Sequence, residues 1–219
     1  MKKELFLTRD GSHSIHVTGW NENYHSVHGA IQESKHVFIE AGLNALDARS
    51  KLNILEMGFG TGLNVLLTMM NSNKRIVYET IEAYPIDKEM AGKLNYLDIL
   101  NAQDLKNEFE ATHDARSGIE IELRPGFYFT KQITKLEDLR STRKFDLVYY
   151  DAFAPRVQPE LWTKAIFEKI FELMNNDGIM VTYCAKGEVK RNMKAAGFIV
   201  ERLPGPLGKR EMTRCIRKQ

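Results

Sequence analysis

The sequence predicts an α/β protein with a doubly wound, mostly parallel sheet, and three observations favour that fold. Short apolar runs typical of buried strands alternate with amphipathic helical stretches along most of the chain. The first such run in the main part of the chain meets a glycine-rich turn, residues 58–62, which opens a helical pattern. The last two apolar runs are joined by the Pro204-Gly205-Pro206 loop and predict a terminal antiparallel strand pair.

The elements follow in chain order from a small N-terminal extension. An Asp10-Gly11 turn between two short apolar runs predicts a hairpin over residues 5–17, an appendage to the main fold, and apolar residues at helical spacing predict a helix over residues 30–48. We expect one domain of 219 residues, with residues 1–50 as this extension and residues 51–219 as a Rossmann-like core. The predicted core strands are 53–57, 76–83, 119–123, 145–150, 178–184, 198–203 and 212–216, and the predicted core helices are 63–71, 87–101, 104–113, 159–175 and 188–196.

The turn after the first core strand is the predicted cofactor site. Its sequence, Gly58-Phe59-Gly60-Thr61-Gly62, lets the backbone approach a ligand closely, because glycine has no Cβ and reaches positive φ. The G-x-G-x-G spacing differs from the G-x-G-x-x-G of dinucleotide sites, and Glu56 beside it would repel a pyrophosphate. S-adenosylmethionine carries an ammonium, a sulfonium and no phosphate, so it is the cofactor we expect. Glu82, at the end of the next strand, lies where an acidic residue accepts hydrogen bonds from ribose hydroxyls. The alternative is a turn that binds nothing, which we favour less because three glycines cost stability.

Asp151 is the candidate catalytic residue. It follows the fourth core strand, and doubly wound sheets bind ligands at the carboxyl ends of their strands, where the glycine turn and Asp151 would meet. An alkylamine titrates near about 10 and arrives protonated, so its N-methylation needs a group that accepts a proton. We expect Asp151 to accept that proton or a hydrogen bond, directly or through water, while burial favours its neutral form. The alternative is that Asp151 caps the following helix.

The charge of the chain is unevenly distributed. The formal net charge is +2, but residues 186–219 hold ten Lys or Arg and only three Glu. A basic region of this kind is expected of a protein that binds a phosphate-bearing partner, with nucleic acid as the leading candidate. A solvated basic face explains the charge equally well.

Several other classes of protein are not favoured. The chain has no apolar stretch near the roughly 20 residues that a membrane span needs and no leader-like segment, so we expect a cytoplasmic protein. Cys184 and Cys215 show neither a disulfide framework nor a zinc pattern, and we expect two buried thiols and no metal site.

A set of further motifs runs along nearly the whole chain. They are Tyr24-His25-Ser26, Gly29-Ala30, Glu33-Ser34, His36 to Ile39, Glu56 to Asn64, Asp151 to Pro155, Pro159 to Thr163, Thr182 to Gly187, Pro204 to Pro206 and Gly208 to Met212. In these motifs the sequence resembles a known family, the methyltransferase half of the bifunctional MnmC proteins. The resemblance implies a class I methyltransferase that uses S-adenosylmethionine to methylate the exocyclic amine of 5-aminomethyl-(2-thio)uridine at the wobble position of tRNA. It also implies the stand-alone form, called MnmD, without the FAD-dependent oxidase half, so that other enzymes install the aminomethyl group.

Site residues follow from the resemblance and from the predicted strand ends. Gly126 would end the third core strand beside the cofactor. Many class I methyltransferases carry an acid after this glycine to hold the adenine amine, and here either Phe127, by stacking, or a backbone group would take its place. Lys186, Lys209 and Arg210 would contact tRNA phosphates. The expected cofactor contacts are completed by Glu56, Asn64, Asp151, Ala152 and Phe153, and the expected substrate contacts by Tyr24, His25, Ser26, Glu33, Pro155, Trp162 and Tyr183.

Three other functions compete with this one. An N-methyltransferase of the same kind could act on another RNA or on a small amine. A polyamine synthase that transfers an aminopropyl group would need acidic substrate pockets, whereas this chain ends in a basic region. An RNA-binding module without catalysis would not need the three glycines or Asp151, and both are present.

Overall fold

A small antiparallel sheet begins the fold. The computed structural model describes residues 2–218. In it, β1 (Lys3–Leu7) pairs with β2 (His13–Val17), which in turn pairs with β3 (Glu22–Asn23). The turn between β1 and β2 places Gly11 at φ 81°, which glycine adopts without a steric penalty. The predicted hairpin is therefore confirmed.

The helical segment after this sheet is shorter than predicted. It begins as α1 (Ala30–Ser34) and continues as a π-helix over Lys35–Glu40. A separate 3₁₀ turn follows over Leu43–Leu46, so the prediction of one helix over residues 30–48 is wrong. Within the π-helix, the side chains of residues 37–39 are buried in the core.

The main sheet confirms the predicted fold class. It has eight strands in the order β10-β11-β9-β8-β4-β5-β7-β6, where β9 to β7 form a parallel centre and the outer pairings are antiparallel. The terminal antiparallel pair is present as predicted. The strands are β4 (Lys51–Met57), β5 (Arg75–Ile81), β6 (Glu120–Arg124), β7 (Phe127–Gln132), β8 (Phe145–Tyr150), β9 (Met174–Thr182), β10 (Ile199–Pro204) and β11 (Glu211–Ile216).

Helices pack on both faces of this sheet. In β8, Leu147 and Tyr149 belong to one buried cluster and Val148 and Tyr150 to the other, as expected when both faces are covered. The predicted helix over residues 87–101 is wrong, because the chain forms two short helices there. None of the helices within residues 2–218 is long and apolar enough to cross a bilayer. The remaining helices are α2 (Leu63–Asn71), α3 (Lys88–Gly92), α4 (Tyr96–Ile99), α5 (Lys106–Asp114), α6 (Lys164–Leu173) and α7 (Gly187–Ala195).

The region around Gly126 differs from the prediction in a way that changes the site. The predicted third strand, β6, is an antiparallel edge strand, and Gly126 turns the chain into β7, which the sequence pattern does not predict. β7 pairs in parallel with β5, and Phe127 lies opposite Ile76 at the amino ends of both strands. Gln132, opposite Ile81, therefore lies where the carboxyl ends of the parallel strands meet, and Gly126 lies at the opposite side of the sheet, beside their amino ends.

Candidate active site

The glycine turn fills the space between the ends of three strands. Gly58 and Gly60 have φ values of 90° and 53°. The Gly58 N–H donates to the Ile81 carbonyl oxygen at 3.0 Å, and a Cβ on Gly58 would lie 2.5 Å from the Asp151 carbonyl oxygen. A larger residue at position 58 would therefore push β4 away from the chain after β8, which explains the glycine.

A cavity of about 480 Å³ opens above this turn. Its size is within the roughly 300–1,000 Å³ typical of small-molecule sites. Most of the residues that the sequence predicts for the site line it together. These are Tyr24, His25, Ser26, Glu33, Gly58, Phe59, Gly60, Thr61, Asn64, Glu82, Asp151, Ala152, Phe153, Tyr183 and Lys209.

The N-terminal sheet also lines the cavity, which corrects its interpretation as an appendage. Lys3, Val17 and Trp20 are lining residues that the sequence analysis missed. The Trp20 and Phe153 rings meet edge to face with 5.2 Å between their centroids. No spacing pattern connects these residues to the glycine turn, since the contact depends on how the small sheet packs against the large one.

Glu82 presents a fixed carboxylate to the cavity. Its Oε2 accepts a hydrogen bond from the Gly60 N–H at 3.0 Å, and its Oε1 accepts one from the Tyr84 N–H at 2.8 Å. Each oxygen keeps a second lone pair. The residues present thus fit an adenosyl cofactor, because Glu82 can accept hydrogen bonds from ribose hydroxyls beside a turn in which Gly58 and Gly60 have no side chains.

Asp151 lies at the end of β8 and faces the same cavity. Its Oδ2 accepts a hydrogen bond from Asn64 Nδ2 at 3.0 Å. Burial, reinforced by the negative charge of Glu33, raises the pKa of the Asp151 carboxyl to about 7. The next helical turn begins at Pro159 with Gln158 as its N-cap residue, so Asp151 does not cap it. A partly buried carboxyl with this pKa suits proton transfer near neutral pH.

An acidic and aromatic cluster lines the same cavity as Asp151. Lys209 Nζ lies 2.5 Å from Glu33 Oε1 and 4.1 Å from the centroid of the Tyr183 ring. The second Glu33 oxygen accepts a hydrogen bond from the Ser26 N–H at 2.8 Å. Lys209 is therefore held inside the site by a carboxylate and an aromatic face.

Two aromatic residues of the N-terminal extension complete the wall of the cavity. His25 is buried beside the Ser14 hydroxyl, 3.1 Å from its Nδ1, and burial lowers the pKa of His25 to about 4. The ring is therefore neutral at physiological pH. Tyr24 packs edge to face on Phe153, and a Cβ on Gly60 would lie 3.1 Å from the Tyr24 ring. Tyr24 thus packs directly over the glycine turn.

Glu56 does not line the cavity, contrary to the prediction. Its side chain is completely buried in β4, and among the described residues neither carboxyl oxygen has a hydrogen-bond partner. Burial raises the pKa of Glu56 to about 8, so the group is mostly neutral at pH 7. It therefore does not repel an anionic ligand in the way the sequence analysis assumed.

The buried Glu56 leads to a prediction about stability. An unfolded chain releases this proton near pH 4.5, whereas the folded protein keeps it up to about pH 8. The folded protein therefore loses stability as the pH rises through that interval. Glu56→Gln has no carboxyl that titrates at this position, so its free energy of unfolding should fall by roughly 2 to 4 kcal/mol less than that of the wild-type protein. Urea unfolding at pH 5 and pH 8 measures it, with the exposed Glu160→Gln as the matched control. An unchanged pH dependence in Glu56→Gln would contradict this account of the buried carboxyl.

Two predicted contacts lie elsewhere. Phe127 is 1% exposed and stacks on Tyr78 at the opposite edge of the sheet, so it cannot contact the adenine ring from there. Trp162 is also buried, and its Nε1 donates to the Phe153 carbonyl oxygen at 2.8 Å, so it supports the chain after Asp151 and does not stack on a base.

Four further predicted residues lie outside the residues that line the cavity. Gly62, at φ 74°, directly precedes α2 and shapes the turn. Pro155 is partly exposed, and Lys186 and Arg210 are exposed. Contacts of the last three with a larger substrate stay predictions. Among residues 2–218, no group of three His, Cys, Asp or Glu side chains is arranged to hold a metal ion.

Known proteins resemble this chain in sequence. Residues 102–218 match a family model described as S-adenosyl-L-methionine-dependent methyltransferase. The chain is 32% identical to the tRNA 5-methylaminomethyl-2-thiouridine biosynthesis bifunctional protein MnmC of Magnetococcus marinus, over 88% of this chain and 31% of that protein. It is 29% identical to the protein of the same name from Cupriavidus metallidurans, over 96% of this chain and 33% of that protein. The chain thus spans about a third of the length of these curated relatives.

Solved structures resemble it in fold. The crystal structure of MNMC2 from Aquifex aeolicus matches 99% of this chain and 71% of its own chain, with a TM-score of 0.78 and 24% identity. Spermidine synthase from Thermotoga maritima matches 98% of this chain and 68% of its own, with a TM-score of 0.63 and 12% identity. At these identities the likeness concerns the fold, and it agrees with the predicted fold class.

Proposed function

We propose that this chain, which belongs to the family of S-adenosyl-L-methionine-dependent methyltransferases, methylates the exocyclic amine of an aminomethyluridine in tRNA. The observation that carries the proposal is Asp151, a carboxyl with a pKa of about 7 that shares one cavity with the glycine turn and Glu82. A proton acceptor beside a cofactor site is what an amine substrate requires.

The geometry supports distinct roles for the residues of the cavity. Glu82 and the glycine turn would hold the ribose and methionine parts of the cofactor. Asn64 orients the Asp151 carboxylate through its 3.0 Å hydrogen bond. Tyr183 donates a hydrogen bond to the Ala152 carbonyl oxygen at 2.8 Å and so fixes the chain after Asp151. These residues position the reactants, which is the main contribution a protein makes to methyl transfer.

Proton transfer to Asp151 prepares the substrate nitrogen for methyl transfer. Bound S-adenosylmethionine supplies an electrophilic methyl group on a positively charged sulfur. The Asp151 carboxylate takes one proton from the substrate ammonium, which leaves a neutral amine with a free lone pair. This lone pair would accept the methyl group that the cofactor supplies, and the departing sulfur would keep the carbon–sulfur bonding pair. The product is a secondary ammonium, and Asp151 returns its proton to solvent.

The tRNA substrate is supported by the relatives and by charge. The curated relatives are named for 5-methylaminomethyl-2-thiouridine biosynthesis in tRNA. The excess of Lys and Arg after residue 186 suits a phosphate-bearing substrate. We therefore propose the wobble uridine as the target, in the cytoplasm, with the aminomethyl group installed by a preceding reaction.

The cavity also bears on domain organisation. Val17 and Trp20 of the N-terminal extension line it together with Asp151 from the core. This shared cavity supports one catalytic domain over residues 1–219.

A methylation assay tests the proposed function. The purified protein is incubated with isotope-labelled S-adenosylmethionine and tRNA that carries 5-aminomethyl-2-thiouridine, and the nucleosides are analysed by mass spectrometry. We expect one labelled methyl group on the aminomethyl nitrogen and none on tRNA with an unmodified uridine. In a parallel reaction, decarboxylated S-adenosylmethionine and putrescine should give no spermidine. Spermidine formation, or a label on ribose or on the base ring, would contradict the proposal.

A further inference from the structure

One wall of the cavity holds a primary ammonium group in a built site. We name Glu33 and Tyr183 the ammonium site, because the Lys209 Nζ lies 2.5 Å from Glu33 Oε1 and 4.1 Å from the centre of the Tyr183 ring. The Glu33 carboxylate is buried, so it requires a compensating partner. A carboxylate beside an aromatic face is a favourable environment for an alkylammonium ion.

The parts of the ammonium site are fixed by other contacts. The Ser26 N–H donates to Glu33 Oε2 at 2.8 Å, and the Tyr183 hydroxyl donates to the Ala152 carbonyl oxygen at 2.8 Å. These bonds do not involve Lys209, so the site keeps its shape when the lysine side chain leaves. The site is therefore preorganised for a cation.

The Lys209 side chain is more exposed to solvent than the carboxylate with which it pairs. Its backbone N–H donates to the Pro206 carbonyl oxygen at 2.8 Å, which anchors the loop and not the side chain. The side chain is 33% exposed, compared with 8% for Glu33. A rotation of the lysine side chain would therefore move its ammonium into solvent, where it is hydrated, without breaking the loop.

The end group of lysine is chemically the same as that of the proposed substrate. Both are a methylene carbon that carries a protonated primary amine. We propose that Glu33 and Tyr183 bind the ammonium group of the substrate, and that Lys209 is an internal occupant which the substrate displaces. This inference rests on the proposed function for the identity of the amine.

The arrangement explains how an amine is selected over an alcohol. Asp151 and the ammonium site line the same cavity, and the Tyr183 hydroxyl of that site donates to the carbonyl oxygen of Ala152, the residue after Asp151. A neutral hydroxymethyl group that entered would leave the buried Glu33 carboxylate without a cation. Lys209 therefore remains in place unless a cation competes with it, and selectivity comes from this competition.

The first test observes Lys209 directly and needs no methyl transfer. The protein is labelled with ¹⁵N at lysine side chains, and the Lys209 signal is assigned by its absence in Lys209→Met. Benzylammonium serves as a phosphate-free probe that carries an aminomethyl group on a ring, and benzyl alcohol is its neutral match. We expect benzylammonium to shift the Lys209 Nζ signal towards that of a solvated lysine and benzyl alcohol to leave it unchanged. No shift with either probe, or the same shift with both, would overturn the proposal.

The second test separates displacement from direct substrate binding. The nucleoside 5-aminomethyl-2-thiouridine has no phosphate, so a lysine that only contacts phosphate cannot affect it. Lys209→Met should lower the KM for this nucleoside by about threefold to tenfold, because no internal cation then has to leave. Lys164→Met, which removes an exposed lysine paired with Glu168 at 3.0 Å, is the matched control and should leave the KM unchanged. A higher KM in Lys209→Met would show that the lysine binds the substrate, and would overturn the proposal.

A third variant probes the carboxylate itself. Glu33→Gln keeps the shape of the side chain and an oxygen for the Ser26 N–H, but it removes the charge. We expect benzylammonium to lose its effect on the Lys209 signal in this variant, and an undiminished effect would overturn the assignment of Glu33. The probe experiments report on the ammonium site even if tRNA is not methylated, so this inference and the proposed function can fail separately.

Discussion

Asp151→Asn is expected to lower kcat by about 10²- to 10⁴-fold, the range that proton-transfer catalysis usually contributes. Asparagine has the same shape, and its side-chain oxygen can still accept the hydrogen bond that Asn64 Nδ2 donates at 3.0 Å. It cannot take a proton from the substrate ammonium. The affinity for S-adenosylhomocysteine should therefore stay within a few fold of wild type, while turnover falls.

The pH dependence distinguishes this role from a structural one. The raised pKa of Asp151, about 7, means that its proton-accepting form increases as the pH rises through neutrality. The kcat/KM of the wild-type protein should therefore increase with pH through about 7, and this step should be absent in Asp151→Asn. The exposed Asp104→Asn is the control and should keep the step. A turnover within a few fold of wild type in Asp151→Asn would remove Asp151 from the chemistry.

Glu82→Ala is expected to weaken cofactor binding by about 10²-fold or more, since hydrogen bonds to a charged group contribute roughly 1.5 to 3 kcal/mol each. Two ribose hydroxyls would lose their acceptor. The Gly60 and Tyr84 N–H groups would also lose the carboxylate that holds them at 3.0 and 2.8 Å. Isothermal titration with S-adenosylhomocysteine measures the loss.

A pair of smaller ligands shows whether the loss of affinity comes from the missing ribose acceptor or from the released Gly60 and Tyr84 N–H groups. If Glu82 accepts from the ribose, the wild-type protein should bind adenosine more tightly than 2′-deoxyadenosine, and Glu82→Ala should lose that preference. Glu82→Gln keeps one carbonyl acceptor and should be intermediate. A preference that persists in Glu82→Ala would mean that the ribose binds elsewhere in the cavity.

The residues that the sequence analysis located well are those at the ends of parallel strands. Gly58, Glu82 and Asp151 directly follow β4, β5 and β8, and all three line the cavity. A buried strand is recognisable from a short apolar run, and the sheet brings the carboxyl ends of parallel strands to one edge. Local patterns were therefore sufficient for these positions.

Strand direction is what local patterns did not reveal. Phe127 was assigned to the cofactor because it follows Gly126, which was expected to end the third core strand beside the cofactor. The following strand, β7, contains Lys131, whose buried Nζ donates to the Thr112 carbonyl oxygen at 3.0 Å at the end of α5. A buried lysine is unexpected in a central strand, and here it is buried because the end of a helix accepts its hydrogen bonds. The sequence pattern therefore did not reveal β7, and the cofactor was expected near Gly126, at the wrong ends of the strands.

Contacts between distant parts of the chain were also beyond the sequence patterns. Glu33 and Lys209 are separated by 176 positions, yet they form an ion pair inside the cavity. The resemblance to the MnmC family suggested a substrate role for both residues, but it did not suggest that they contact each other. That contact depends on the packing of α1 and of the loop between β10 and β11 around the cavity.

A crystal structure with bound S-adenosylhomocysteine would test the central claim most directly. We expect the ribose hydroxyls within hydrogen-bond distance of the Glu82 carboxylate, the methionine part along Gly58 and Gly60, and the sulfur facing the side of the cavity that holds Asp151. A ligand bound outside this cavity, or one whose sulfur faces away from Asp151, would contradict the proposed site of methyl transfer.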